Sequence, residues 1–218
     1  VRARLAWQTV AVADVVTETA RARTLRFAVD DWPDHRPGQH LDVRLTADDG
    51  YQATRSYSLS AGPDEGPQIT VERVDDGEVS PFFVDVAEPG TTVKVRGPIG
   101  GYFVWEPDDR PLLLIGGGSG IAPLRSMWRA RTAATSVTVA YSVRTADRIL
   151  FADELATLDQ DPRVDVEIFV TREDAAGTHR GRLDADRIRD LVGRAEPAQT
   201  FVCGPTPFVE TVTAGLVA

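Results

Sequence analysis

Between Leu5 and about Phe103, apolar and polar residues alternate in short runs: Gln8 to Val16, Thr24 to Val29, His40 to Leu45, Tyr51 to Ser60, Gln68 to Val74 and Thr91 to Val95. A period of two marks a strand with one face buried and one in water. Turn residues separate the runs at Asp48-Asp49-Gly50, Gly62-Pro63 and Glu88-Pro89-Gly90. Short strands at this spacing predict an antiparallel β-barrel. Only Ser80 to Ala87 reads as helical, one short helix capping the barrel.

After Pro107-Asp108-Asp109-Arg110-Pro111 the pattern changes. Pro111 to Ile115 is continuously apolar, then come glycines and a helical stretch from Ala122 to Arg131. Val137 to Tyr141, Val164 to Val170 and Thr200 to Cys203 repeat the short apolar strand, each followed by a predicted helix. Uniformly apolar strands alternating with helices predict a parallel sheet buried on both faces. The proline-bracketed acidic segment from Glu106 to Pro111 is the expected boundary, giving domains 1–106 and 107–218.

The 218 residues are 42% hydrophobic and 26% charged, enough for two modest cores. A net charge of −9 argues against a grip on nucleic acid or an anionic membrane, and leaves small anionic ligands possible where basic residues cluster. No apolar run approaches the ~18 to 20 residues that span a bilayer, and no signal-peptide core stands at the N-terminus, so a soluble, cytoplasmic protein is expected. The single cysteine excludes internal disulfides and cysteine-ligated iron-sulfur or zinc clusters, so any iron-sulfur centre must lie on another protein. His35, His40 and His179 lack metal-ligand spacing and a nucleophile-partner motif, and are expected at the surface.

Four places carry candidate chemistry. In Arg55-Ser56-Tyr57-Ser58, strand alternation puts Arg55 and Tyr57 on one face, with Ser56 and Ser58 on the other or at the strand end. Arginine offers a donor fork to a phosphate, tyrosine a stacking face, and serine a hydroxyl for a ring nitrogen or carbonyl. A solvated arginine beside a packed tyrosine is the competing reading. The turn Gly116-Gly117-Gly118-Ser119-Gly120-Ile121-Ala122-Pro123 follows a strand and opens a helix, where free N–H groups and the helix dipole favour an anion. Ile121 breaks G-x-G-x-x-G and no Lys completes a P-loop, so this is a phosphate turn of another kind, or a tight turn with no ligand. Cys203-Gly204-Pro205 ends the last strand, where parallel sheets gather ligands; its thiol could border a bound ring or simply be a small buried hydrophobe. Arg144, Thr171 and Arg172 follow the second and third parallel strands, where the adenosine end of a dinucleotide would lie and a 2′-phosphate would favour arginine; a solvated basic edge is the alternative. In Gly97-Pro98-Ile99-Gly100-Gly101-Tyr102-Phe103 the glycines allow close backbone approach, and the aromatics are expected to pack between domains.

Taken in order, Pro37-Gly38-Gln39-His40, Arg55-Ser56-Tyr57-Ser58, Val79-Ser80, Gly97-Pro98-Ile99-Gly100, the glycine turn to Pro123 and Cys203-Gly204-Pro205 resemble the ferredoxin-NADP reductase superfamily over almost the whole chain. The likeness is greatest to bacterial reductases that feed oxygenases or ferredoxins, here without an iron-sulfur domain. It implies a flavin-binding Greek-key β-barrel followed by a doubly wound α/β domain for NAD(P). By that resemblance Arg55 would bind a flavin phosphate, with Ser56 in the same cofactor-binding run; Tyr57 would stack on the isoalloxazine and Ser58 would hydrogen-bond near flavin N5. Val79 and Ser80 would bind the FAD diphosphate. Gly117, Gly118, Ser119 and Gly120 would cradle the nicotinamide dinucleotide, Cys203 and Gly204 would border the nicotinamide, with Pro205 in the same cofactor-binding run, and Thr171 with Arg172 would meet the adenosine ribose phosphate, Arg144 being placed there by its strand end alone. The implied activity is hydride transfer from NADPH or NADH to FAD, less favourably FMN, then electron delivery to a ferredoxin or oxygenase component, with Ser58 and Cys203 as positioners. A reductase that releases reduced flavin, and a flavin- or dinucleotide-binding partner protein without turnover, are the alternatives. Three departures stand out. Glu78 takes a position where many relatives have glycine. The residues that accompany the Thr-Arg pair in NADP-specific members are not matched near Thr178 to Arg180, so NADPH is favoured only modestly. The chain reaches Ala218 inside its last predicted helix where relatives continue, so the second domain is expected to be truncated.

Overall fold

The computed structural model describes residues 5–30 and 32–217. Ala218 lies outside them. The chain divides into two units, one taking in residues up to Glu106 together with Arg125–Arg129, the other Pro107–Leu124 together with residues from Ala130 onward.

In the first unit the alternating runs become six strands: β1 (Gln8–Thr19), β2 (Ala22–Ala28), β3 (His40–Thr46), β4 (Gln52–Ser58), β5 (Gln68–Glu72) and β6 (Thr92–Ile99). They pair antiparallel in the order β4-β3-β6-β1-β2-β5. A bridge between Leu59 and Ile69 joins the two ends of the sheet, which closes it into a barrel. β6 returns between β1 and β3, the Greek-key crossing. Leu25, Leu41, Leu59, Ile69, Val71 and Phe83 are fully buried inside, each removing about 1.5–3 kcal/mol of apolar surface cost from water. The predicted stretch holds a π-helical turn, Phe82–Val86, which drives Phe83 and Val84 into the core, and a 3-10 turn spans Pro63–Glu65.

The glycine motifs of this unit follow from close packing. Gly38 has φ +93°, open to glycine at little cost. Gln39 accepts from Arg36 N–H through Oε1 at 2.8 Å and donates through Nε2 to the Gly100 carbonyl at 3.1 Å. A Cβ on Gly97 would lie 2.9 Å from Leu41 Cβ. That close approach lets β6 continue to Ile99, so a stretch read as a closing turn is in part a strand end.

Two expectations fail here. His35 is buried, not at the surface, because the loop before β3 folds its ring against Ala61, whose carbonyl lies 3.2 Å from Nε2. Desolvation there lowers its pKa below 6.5, against the smaller opposing pull of the Ala61 carbonyl and nearby acids. His40 is half-buried on β3. Tyr102 is fully exposed, since Trp105 rather than Tyr102 anchors this segment in the interior.

In the second unit the elements are β7 (Leu112–Gly117), α1 (Ile121–Arg129), β8 (Val137–Val143), α2 (Ala152–Leu158), β9 (Val164–Val170), β10 (His179–Arg180), α3 (Ala185–Ala195), β11 (Gln199–Cys203) and α4 (Thr206–Leu216). The strands are parallel in the order β10-β9-β8-β7-β11. Every residue of β7 is buried, as a strand covered on both faces must be. Leu113 and Ile115 pack with Ile188 and Leu191 of α3 and Val212 of α4. Asp184 caps α3 by accepting from Arg187 N–H at 3.0 Å. β10 has no counterpart in the hydrophobic pattern: its two polar residues pair only because the edge of β9 is open to them, and His179 is exposed there with its ring stacked 5.0 Å from Phe169. Among the described residues, no helix is long and apolar enough to cross a membrane.

Candidate functional sites

On β4, registration against β3 pairs Arg55 with Val43, Ser56 with Asp42, Tyr57 with Leu41 and Ser58 with His40. Arg55 and Tyr57 do share a face. The Tyr57 ring sits half-buried and edge-on to Phe83, with centroids 6.0 Å apart, and burial pushes its phenol up to about 12 despite Arg55, so it stays neutral. Arg55 donates to Glu78 Oε2 at 2.7 Å, and Tyr51 donates to the other Glu78 oxygen at 2.6 Å. Those two bonds, Tyr51's first, hold the Glu78 carboxyl below the ordinary range. Stepping by two residues, Tyr57, Arg55, Ala53 and Tyr51 form one line of about 20 Å. Beside its Tyr51 end opens a cavity of about 550 Å³ bordered by Ala53, Glu78, Phe82, Arg44 and Lys94.

On the other face, Ser56 donates to Asp42 Oδ1 at 2.7 Å, and Arg96 donates to Asp42 Oδ2 at 2.6 Å. Burial works against the Asp42 charge, but the Ser56 and Arg96 bonds outweigh it and its pKa falls. Ser56 is therefore committed to the sheet. Ser58 is not: its hydroxyl has no partner among the described residues, although the side chain is half-buried. Val79 is 1% exposed in the core, and the buried Ser80 hydroxyl accepts from Val74 N–H at 3.0 Å. Val79 offers a diphosphate only its backbone N–H, while the Ser80 hydroxyl, which accepts from Val74, still has its own O–H to donate.

In the second unit, β8 and β9 lie on one side of β7 and β11 on the other. The order reverses at β7/β11, and such a switch point leaves a crevice at the carboxyl ends of the strands. Gly116, the partner of Cys203 in the register, and Gly117 are the last residues of β7, so the turn itself is Gly118–Gly120, with Gly118 at φ +54°. A Cβ on Gly117 or on Gly204 would meet Phe208 Cδ1 at 2.7 Å, and one on Gly120 would meet Gly204 Cα at 2.6 Å. At Gly117, Gly120 and Gly204 a side chain is thus excluded by the Phe208 ring and by the backbone at Cys203 and Gly204, which packs the turn against the end of β11. The exposed Ser119 hydroxyl has no partner among the described residues. Cys203 is half-buried, and desolvation raises its pKa, which keeps a neutral thiol instead of a nucleophilic thiolate. Pro205 follows and precedes the first residue of α4.

At the ends of β8 and β9, Thr171 N–H donates to Val143 O and Arg172 N–H to Arg144 O, both at 3.0 Å. This places the two arginines side by side. Neither guanidinium, nor the Thr171 hydroxyl, has a side-chain partner among the described residues. Most other arginines at the surface are ion-paired, as in Arg194 with Asp165, Glu167 and Asp190.

Residues 10–104 match the family described as oxidoreductase FAD-binding domain, and residues 114–214 the family described as oxidoreductase NAD-binding domain. The chain belongs to the ferredoxin-NADP reductase superfamily. Within it, the ferredoxin reductase component of 3-ketosteroid-9-alpha-monooxygenase from Rhodococcus rhodochrous is 34% identical over 209 residues, 92% of this chain and 58% of that protein. The glycine betaine monooxygenase reductase subunit of Chromohalobacter salexigens is 31% identical over 91% of this chain and 57% of that protein. The chain therefore spans about three-fifths of the length of these curated relatives. Among solved structures, the flavohem-like FAD/NAD-binding domain of nitric oxide dioxygenase from Vibrio cholerae superposes with TM-score 0.86 at 26% identity, covering 98% of this chain and 93% of that one. A ferredoxin NADP+ reductase from Neisseria gonorrhoeae shares the fold, with TM-score 0.83 at 20% identity, covering 97% and 90%.

The superfamily's order of motifs was legible in the sequence, but several partners were not. The Phe83 ring against Tyr57, the Asp42 and Arg96 support under Ser56, and the Phe208 ring that excludes a side chain from Gly117 all lie far away in sequence. The Glu78 bond to Arg55 had a signal only in the acidic residue itself, next to Val79-Ser80.

Proposed function

We propose that this chain is an FAD-dependent NAD(P)H reductase that hands electrons to a separate acceptor protein, a ferredoxin or an oxygenase component. What carries the reading is that one chain holds two candidate ligand sites: the Tyr57-Arg55 line with the unpartnered Ser58 hydroxyl, and the glycine turn at the β7/β11 switch point. The reductase components among its relatives support the acceptor class. Bound FAD supplies the conversion of a two-electron hydride into single electrons. Arg55 offers its fork to a flavin phosphate, the neutral Tyr57 ring offers a face to the isoalloxazine, and Ser58 donates or accepts at the ring's polar edge. Gly117, Gly118, Ser119 and Gly120 admit a pyrophosphate to the backbone, and the neutral Cys203 thiol with Gly204 and Pro205 borders the nicotinamide. Thr171, Arg172 and Arg144 face the adenosine ribose, and two arginines without counter-charges favour NADPH over NADH. In this reading residues 1–106 form the flavin domain and 107–218 the nucleotide domain, and the protein works in the cytoplasm, where NAD(P)H is supplied.

The test is direct. Flavin extracted from purified protein is identified by mass, and bleaching of the yellow protein by NADPH and by NADH is followed anaerobically. FAD that bleaches within seconds is expected. Colourless protein, or yellow protein that neither nucleotide bleaches, overturns the reading.

A further inference from the structure

The Arg55 guanidinium is already satisfied by a carboxylate of this chain. Glu78 Oε2 lies 2.7 Å from it, and Tyr51 fixes the other Glu78 oxygen at 2.6 Å, so the acid is held against the arginine from two sides. Both members of the pair are half-exposed, at 52% and 48%, which leaves the pair open to an incoming anion. We propose that Glu78 is a specificity-determining residue that competes with the flavin phosphate for Arg55 and thereby selects FAD over FMN. This rests on the reading that Arg55 meets the flavin phosphate.

The selection follows from charge and from the line along β4. FMN ends at a phosphate monoester, which carries about −1.5 to −2 near pH 7, as monoesters with a second pKa of about 6 do. Each phosphate of FAD's diphosphate carries a single charge. Beside a fixed carboxylate, the additional charge of the monoester costs about fivefold in affinity at contact distance in water. A ligand ending at Arg55 must bring its full dianion against Glu78. A dinucleotide instead continues past Arg55 toward Ala53 and Tyr51, where the 550 Å³ cavity has Lys94 and Arg44 at its border. Arg44 and Lys94 pair in register on the sheet face of Asp42 and Ser56, with Arg44 over the Trp7 ring at 3.9 Å, so what the cavity offers a dinucleotide at this end is room beyond Arg55. A glycine at position 78 would leave Arg55 without this competitor.

Deflavinated wild-type, Glu78→Gln and Arg55→Gln proteins are titrated with FAD and with FMN, following the quenching of flavin fluorescence. Glu78→Gln is expected to tighten FMN about threefold or more beyond any gain for FAD. An unchanged FAD-to-FMN ratio overturns the proposal, and so does a loss of affinity for both, which would make Glu78 a residue that positions Arg55. Arg55→Gln separates this from the underlying reading: it weakens both flavins about tenfold or more if the arginine holds the phosphate. If Arg55→Gln changes neither, the assignment of Arg55 to the phosphate fails and the proposal falls with it.

Discussion

Gly120 packs so closely on Gly204 that a Cβ added to Gly120 would lie 2.6 Å from the Gly204 Cα. This contact joins the turn after β7 to the end of β11, two segments about eighty residues apart, and so sets the width of the crevice at the switch point. Gly120→Ala must push backbone against backbone. It is expected to cost about 1–3 kcal/mol of stability and to raise the KM for NAD(P)H more than it lowers the melting temperature would explain. Gly193→Ala on α3, where no atom lies within 4 Å, is the control and should stabilise by about 0.5–1 kcal/mol. Thermal melts and steady-state kinetics on both variants decide it.

Ser56 and Ser58 differ in what they are bonded to, and their alanine variants should differ accordingly. Ser58→Ala removes a hydroxyl with no protein partner, so stability should change by less than about 0.5 kcal/mol while flavin reduction slows about two- to tenfold. Ser56→Ala strips a hydrogen bond from the buried Asp42 and should cost about 1–3 kcal/mol with reduction nearly unchanged. Stopped-flow reduction beside urea denaturation reads both. Equal behaviour of the two variants would remove Ser58 from the flavin site.

Arg172 and Arg144 stand side by side without counter-charges. Loss of a charge-assisted bond to a 2′-phosphate is worth about tenfold or more. Arg172→Gln should therefore raise the KM for NADPH by that factor and leave the KM for NADH within about twofold. A parallel rise for both nucleotides would assign the pair to a solvated edge.

Burial lowers the pKa of His35, chiefly by desolvation. The folded protein keeps the ring neutral while the unfolded chain takes up a proton near 6.5. The stability this neutral ring contributes is thus complete above pH 6.5 and is lost as pH falls through the lower folded value. His35→Gln, which keeps a donor for the Ala61 carbonyl, should flatten the loss of melting temperature between pH 7 and pH 5. An unaltered slope would show that other groups govern that range.

Much of the fold was readable because its signals are local. Alternation in the first half and continuous apolar strands in the second gave the antiparallel and parallel sheets. The parts that escaped depend on distant partners. β10 owes its existence to the open edge of β9, and His35 is buried because its loop folds onto Ala61. Ser56 and Ser80 look like ligand serines in sequence, yet one hydroxyl serves Asp42 and the other serves Val74.

The sequence by itself determined which residue types are present at each site and their order along the chain, because period, turn chemistry and glycine placement act over a few residues. It also put Arg55 and Tyr57 on one face of a strand. Only the tertiary structure decided which of those groups remain available to a ligand. Hydrogen bonds and steric exclusion join residues brought together by the closed barrel and by the strand order of the parallel sheet: Glu78 occupies Arg55, Phe208 bars a side chain from Gly117, and Ser58, Arg144 and Arg172 are left unpartnered. A competition for partners across such distances leaves no periodic trace in the chain.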